Sequence, residues 1–385
     1  MVDIQQNPAT AATAPSPAPR GSRTNAYDRW VESTGVPVHR GYAIEDARTI
    51  PVGPWPEREC NAAFVVLTGA DGVSEARITE VPPGGATRPV KFSLDEVVYV
   101  VEGRGLTTLW AGDGPKKSFE WADRSLFLIP RGCTYQLTNT RGNAPARLLH
   151  YNHLPTVMSL VKEPEFFFDN PFVSPELLYG GDFYSSAVAE ANPNERAARL
   201  GRPVWTGNFF PDMGVWDKLH TYQERGAGGH RVGIKFASSP ISSHMSVFPP
   251  GTYKKAHFHG PGVVIIIPAG DGYSVMWPES GGEKVVVPWH EASVFVPPNR
   301  WYHQHFNVGD APARYLAFHA IHMYGGDPTR LSAERGAAEI QYPDEDPFIR
   351  EKFESELAKR GHTSLMPPEA YTDRDYLWDY GEDDD

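Results

Sequence analysis

Cysteine is nearly absent from this chain: 385 residues include two, Cys60 and Cys133. Two thiols make neither a disulfide framework nor a Cys-rich zinc site, and they suit a reducing compartment, so the cytoplasm is the expected location. Long apolar runs are missing too; no stretch reaches the roughly 18 consecutive apolar residues that a membrane helix needs. Nor is there an excess of positive charge. With 36 Lys+Arg against 48 Asp+Glu the net charge is −12, which argues against nucleic acid or anionic lipid as a partner. Glycine and proline, by contrast, are plentiful. Their 36 copies each punctuate the chain too often for a mainly helical protein, while a 40 % hydrophobic content is ample for substantial cores. The length fits two to three domains at about 100–200 residues apiece.

The first 25 residues are rich in Ala, Pro and Thr without an apolar signal-peptide core and read as a disordered tail. The chain closes on Gly381-Glu382-Asp383-Asp384-Asp385, a solvated acidic end. Short helices are predicted at Tyr27 to Ser33 and at Asp346 to Arg360, the second with an Asp N-cap followed by a first-turn proline. Between them lies an internal repeat. Pro82-Pro83-Gly84 returns as Pro249-Pro250-Gly251, and Gly103, Gly105 and Trp110 return as Gly270, Gly272 and Trp277. Farther on, Trp121 matches Trp289, Ser125-Leu126-Phe127 matches Ser293-Val294-Phe295, Pro130 matches Pro298, Asn139 matches Asn307, and Ala144-Pro145-Ala146-Arg147 recurs as Ala311-Pro312-Ala313-Arg314. Two copies at so long a period are a duplicated domain, not a solenoid or propeller. Within each copy, short β-rich segments such as Glu96 to Val101, Thr107 to Trp110, Leu126 to Ile129, Val263 to Ile267 and Tyr273 to Trp277 are bounded by Gly and Pro, the pattern of an all-β sandwich or barrel.

Both copies resemble the two-part cupin motif, in which Gly precedes a His-x-His pair, a Glu and a second Gly, and a later Pro-x-Gly precedes a third His and an Asn. The second copy supplies Gly251, His257, His259, Gly270, Pro298, His303 and Asn307 at matching spacings. The first keeps Gly84, Glu96, Gly103, Pro130, Gly132 and Asn139 but has Val90, Phe92 and Tyr135 at the histidine positions. The resemblance covers most of residues 60–155 and 235–320 and implies a bicupin: two tandem jelly-roll-like β-barrels with short helical extensions. The implied boundaries are a tail over 1–25, a first barrel with degenerate motif over 26–155, a bridging segment over 156–230 with a helix near Glu190 to Arg199, a metal-binding barrel over 231–325, and an extension over 326–385.

Side chains two apart on a strand share a face, so His257 projects with His259, and His303 with His305. Three imidazoles inside a barrel make a facial metal site with open positions for substrate and oxygen. The motif's Glu falls at Val263 or Val264, so the expected ligands are His257, His259 and His303 without a carboxylate. This departs from the three-His, one-Glu manganese sites of oxalate decarboxylases and oxidases and resembles the three-histidine iron dioxygenases of the superfamily. Neutral ligands leave the ion's charge uncompensated and favour a chelating anionic substrate, with iron(II) first and nickel, manganese, copper or zinc behind it. His305 is the candidate catalytic residue, with three roles open to it: an extra ligand, a proton shuttle near the metal, or a histidine hydrogen-bonded in the barrel wall; Tyr253, Tyr273 and Trp301 are candidate pocket residues. Lys254 and Lys255, as turn lysines, are expected in solvent, with one of them facing a carboxylate substrate as the alternative, and Glu96 is expected to stand without a histidine partner in a structural first barrel that also offers a homo-oligomer surface. The resulting functional expectation is oxidative cleavage of a small hydroxyaromatic or dicarbonyl acid by dioxygen. An oxygen-independent lyase, decarboxylase or isomerase and a non-catalytic ligand-binding cupin are the alternatives.

Overall fold

The computed structural model describes residues 25–70, 72–192, 201–237, 239–319 and 339–380. It contains two β-barrels, each built from a large and a small sheet. In the first, the large sheet runs Val38–Gly41, Cys60–Leu67, Glu75–Val81, Ala146–Asn152, Glu96–Glu102, Leu126–Ile129, Phe209–Phe210, and the small one Val90–Lys91, Thr134–Asn139, Gly105–Trp110, Lys117–Trp121. The second repeats the plan. Its large sheet includes His230–Lys235, Ser242–Phe248, Ala313–His319, Val264–Ala269 and Val294–Phe295, and its small sheet Val285–His290, Asp271–Pro278, Trp301–Asn307, Ala256–His257 and Glu339–Ile340. Strands dominate, the helices are few and short, and the two-barrel all-β fold is the one the sequence predicts. Among the described residues no helix is long and apolar enough to cross a membrane.

The two large sheets pack face to face. Val65, Ile78, Val97, Leu149 and Tyr151 from one and Ile234, Met245, Ile266, Leu316 and Phe318 from the other form one apolar cluster. The same strands turn their alternate side chains into separate barrel interiors, as period-2 geometry requires. A reciprocal exchange of short strands ties the halves together. Ala43–Ile44, upstream of the first barrel, pairs with Val294–Phe295 of the second, and Phe209–Phe210, upstream of the second, pairs with Leu126–Ile129 of the first. The repeated serines hold each exchange, Ser125 donating to the Pro211 carbonyl and Ser293 to that of Glu45. The repeated arginines do the same work: Arg147 reaches the carbonyls of Ala47 and Ile50, and Arg314 that of Trp216.

Other repeated residues have equally local causes. A Cβ on Gly105 would lie 2.1 Å from the Thr138 carbonyl and 2.4 Å from the Trp121 ring, and one on Gly272 would meet the Phe306 carbonyl at 2.0 Å and Trp289 at 2.5 Å. Each glycine is therefore the space its tryptophan fills. Asn139 and Asn307 donate to carbonyls of the preceding strand end and of the hairpin beyond, at Ala144 and Ala311.

The helices form where predicted. Ala26–Thr34 is capped by Asn25 and buries Ala26, Tyr27 and Val31. Pro347–Lys359 is capped by Asp346, which accepts from the Phe348 amide, and its stripe Ile349, Phe353, Leu357 covers the outer face of the second barrel's small sheet. The bridging stretch carries strands Val188–Glu190, Val204–Thr206 and Phe209–Phe210 and three one-turn helices from Leu154 to Tyr179. The helix expected near Glu190 to Arg199 falls largely on residues 193–200, which with 1–24 and 381–385 lie outside the described residues.

Candidate metal centre

Strand register brings the predicted ligands together. His257 pairs directly opposite His303, and His303 in turn lies opposite Met276. The ring centroids are 4.2 Å apart for His257 and His303, 4.7 Å for His259 and His303, and 6.1 Å for His257 and His259. Each ring turns Nδ1 toward a backbone carbonyl: His259 to Gly260 at 2.7 Å, His303 to Trp301 at 3.1 Å and His257 to Lys255 at 3.5 Å. A carbonyl can only accept, so these contacts put the proton on Nδ1, the tautomer whose Nε2 can bind a metal. Enclosure by protein, reinforced by neighbouring cationic and imidazole groups, holds His257 and His303 well below the ordinary histidine range, in the neutral form that binds metal. Yet among the described residues no three His, Cys, Asp or Glu side chains meet, as they stand, at a point an ion could occupy. The donor types and their proximity suit a divalent ion; ligation requires the imidazoles to swing together.

No carboxylate takes the motif's fourth place. Val263 fills it within the apolar barrel lining. Glu339, paired in register with His257, gives its carboxylate to Arg225.

His305 lies deeper on the same face, its ring 5.6 Å from that of His303. Nδ1 is 2.8 Å from the Ser274 hydroxyl, which also accepts from Trp289 Nε1 at 3.0 Å. Burial, with Lys254 nearby, pushes its pKa down to about 3. Behind it, His244 Nδ1 and His319 Nε2 are 2.6 Å apart in a stacked pair, so both project inward; His322 lies outside the described residues.

Of the three candidate pocket residues, Trp301 stays with the histidines, partly buried in the barrel lining beside Tyr42. The structure corrects the other two. Tyr273 pairs opposite Phe306, one register step from His305, and so faces the other side of the sheet. Tyr253 stacks on the same Phe306 at 4.8 Å, and both tyrosines are packed beneath the C-terminal helix, outside the barrel.

Lys254 is a second correction. It is completely buried rather than solvated, its Nζ 2.7 Å from the Ser246 hydroxyl and within 6 Å of the Phe248, Tyr315 and Tyr222 rings. Among the described residues no carboxylate pairs with it. Burial, with Arg225 and Arg231 adding repulsion, lowers its pKa to about 7. Sequence carries little sign of this, because a lysine beside a turn is ordinarily exposed.

Glu96 of the first barrel is not alone either. His150 Nδ1 lies 2.9 Å from its Oε2, Tyr135 donates to the same oxygen at 3.2 Å, and Arg77 and Asn152 reach Oε1 at 2.8 and 3.0 Å. Arg77 also pairs with Glu75. Although burial alone would raise it, Arg77 and then His150 hold the Glu96 carboxyl well below the usual carboxylate range. The space left beside Tyr135 and His150 is about 10 Å³, room for one water.

No family model matches the chain, and no curated protein matches it. Solved structures do. A Lactobacillus farciminis oxalate decarboxylase in complex with formate aligns at 15 % identity and TM-score 0.46 over 81 % of this chain and 96 % of its own. A Bacillus subtilis oxalate decarboxylase variant aligns at 14 % and 0.46 over 76 % and 83 %, and a Momordica charantia 7S globulin at 15 % and 0.43 over 72 % and 83 %. At these identities the likeness is one of fold.

Proposed function

We propose that the second barrel is a metal-dependent enzyme centre that takes a small chelating acid and breaks a carbon–carbon bond in it. The observation that carries this reading is the company of His257, His259 and His303: three imidazoles with ring centroids 4.2 to 6.1 Å apart, no acid among them in the described residues, and a buried lysine in the same interior. His257, His259 and His303 would hold the ion, iron(II) first, with manganese, nickel, copper or zinc as the alternatives. When bound, such an ion supplies a Lewis acid and, as iron(II), a redox centre for dioxygen. The chain's own groups do the rest. Lys254, with Arg225 and Arg231 behind it, sets a positive potential that draws in an anion. His305, held by Ser274, is placed to move a proton, and Trp301 gives an apolar wall for a flat substrate body.

Oxidative cleavage by dioxygen is the first reading, because three protein ligands leave positions for a bidentate acid and oxygen together. Lys254 favours a second: an ammonium that titrates near neutrality is a competent proton donor for an oxygen-independent decarboxylation or related lyase reaction. The test is metal analysis of protein purified without added metal, followed by oxygen uptake and product analysis with hydroxyaromatic, dicarbonyl and dicarboxylic acids. Oxygen consumed in step with product supports the first reading, and equal turnover under anaerobiosis the second. Metal-free protein inert to every divalent ion refutes both and leaves a non-catalytic binding barrel.

A further inference from the structure

The back of the strand that carries His303 and His305 opens on a cavity unrelated to the barrel interior. It measures about 270 Å³ and lies between the outer face of the small sheet and the C-terminal segment, with Trp277, Lys284, Gln304, Ile340, Glu345 and Ile349 in its lining. Gln304 is completely buried. Its Nε2 donates to the Lys254 carbonyl at 3.0 Å and to Glu345 Oε1 at 2.6 Å. Two acceptors fix the orientation of the amide, and Oε1 is then left without a partner among the described residues. A buried acceptor in that state calls for a donor.

Glu345 sharpens what the donor must be. Its Oε2 accepts from the Tyr253 hydroxyl at 2.7 Å and its Oε1 from Gln304, but among the described residues no lysine or arginine pairs with it. Burial accordingly pushes its pKa up to about 8. The flanking acids are served separately, Asp344 by Arg374 and Asp346 by Lys284. The lining therefore presents one unpaired carboxyl, one unfilled amide oxygen and the indole of Trp277.

We propose that this cavity binds a small organic cation: a primary ammonium that donates to Gln304 Oε1 and Glu345, carried on a short apolar or aromatic stem that packs on Trp277, Ile340 and Ile349. A water or an alcohol would satisfy Gln304 but would leave the Glu345 carboxyl protonated, whereas an ammonium beside it favours the ionised form. Lys284 Nζ already lies 5.7 Å from the Trp277 centroid, so the indole serves the occupant as a packing surface for its stem. Because Gln304 stands between His303 and His305, and Ala256 in the same lining precedes His257, an occupant braces the strands that carry the histidines from behind.

The full chain is titrated with benzylammonium chloride, with benzyl alcohol and potassium chloride as matched controls, following the unfolding temperature and, by hydrogen exchange with mass spectrometry, the segments over 277–284 and 340–349. The expected result is a saturable rise in unfolding temperature with benzylammonium alone, slowed exchange in those two segments, and affinity weakened at least about tenfold in Glu345→Gln and Trp277→Leu. Hydrogen exchange on the unaltered protein decides the matter if either variant fails to fold. Slowed exchange elsewhere or nowhere overturns the proposal. Equal effects from benzyl alcohol overturn it too, since the cavity would then read shape and not charge.

Discussion

The two barrels share a frame and differ in how their interiors are neutralised. Arg77 in the first stands opposite His150, as His244 in the second stands opposite Ala317; Glu75 opposite Asn152 corresponds to Ser242 opposite His319. In the first barrel these positions close on one another: Arg77 serves two carboxylates, and Glu96 is ringed by Arg77, His150, Tyr135 and Asn152. In the second they collect imidazoles and an ammonium with no acid among them. The frame is thus indifferent to what fills it. A barrel whose buried arginine and carboxylates neutralise one another needs no outside charge, whereas one that buries Lys254 with no anion among the described residues leaves a charge for a ligand to meet.

That contrast is broken most directly at the histidines. His303→Ala or His257→Ala is expected to remove bound metal and to cut activity by more than the roughly 10–100-fold typical of a supporting residue, with the circular dichroism spectrum unchanged. Metal near one equivalent per chain, by mass spectrometry of the native protein, is the companion expectation. Two equivalents, or metal surviving in both variants, would place an ion in the first barrel and end the distinction.

The next effect falls on the first barrel and is one of stability. Arg77→Met leaves Glu75 and Glu96 buried without their cation and is expected to cost about 3–5 kcal/mol in urea unfolding, with metal content unchanged. The pH dependence follows from two shifts. Glu96 is held below its ordinary 4.5, so its contribution is present above that value and is lost as pH falls below it. His150, held below 6.5 chiefly by burial, must be protonated on unfolding, so stability also declines as pH drops through that range. Arg77→Met should flatten the acid limb attributable to Glu96; an unchanged limb would mean that the network is not what holds this barrel.

How much of this was legible beforehand depends on the kind of signal. The duplication and the histidine spacing are written in residue identities, and the barrels and the strand that carries His303 followed from them, while the C-terminal helix followed from its Asp cap and first-turn proline. The reciprocal exchange was not readable, because Ala43–Ile44 and Phe209–Phe210 are two-residue strands with no periodicity of their own. Tyr253 and Tyr273 were misassigned because aromatics near a motif were grouped by proximity in sequence. Parity along Trp301–Asn307, which sends Gln304 and Phe306 to the face opposite His303 and His305, was the signal that separates them once register is known. Lys254 depends on how the chain leaves a turn, and nothing local announces it.

Lys254 gives a smaller effect of opposite sign on stability and function. Its pKa, near 7 in the folded chain against 10.5, means that the folded state binds fewer protons between those values, so stability rises with pH across that interval. Lys254→Met removes the buried ammonium and is expected to stabilise by about 1–4 kcal/mol near pH 7, to abolish that slope, and to raise KM for an anionic substrate. A destabilised variant would show that the ammonium is already well compensated and that the second barrel is as closed as the first.

The smallest effect belongs to the outer face, where the comparison predicts indifference. Tyr273 was a candidate pocket residue; its ring stacks on Phe306 at 4.6 Å beneath the C-terminal helix, and its hydroxyl is buried with no hydrogen-bond partner among the described residues. Tyr273→Phe keeps the stacking and removes an unsatisfied polar atom, so thermal unfolding should show no loss of stability, or a gain of a few tenths of a kcal/mol, and kcat/KM should stay within about twofold of the parent. The same change at a residue that touches substrate inside the barrel would not be silent. A clear loss of kcat/KM in Tyr273→Phe, with metal content and unfolding temperature intact, would carry the outer face into the reaction and make the two faces of this sheet one functional unit.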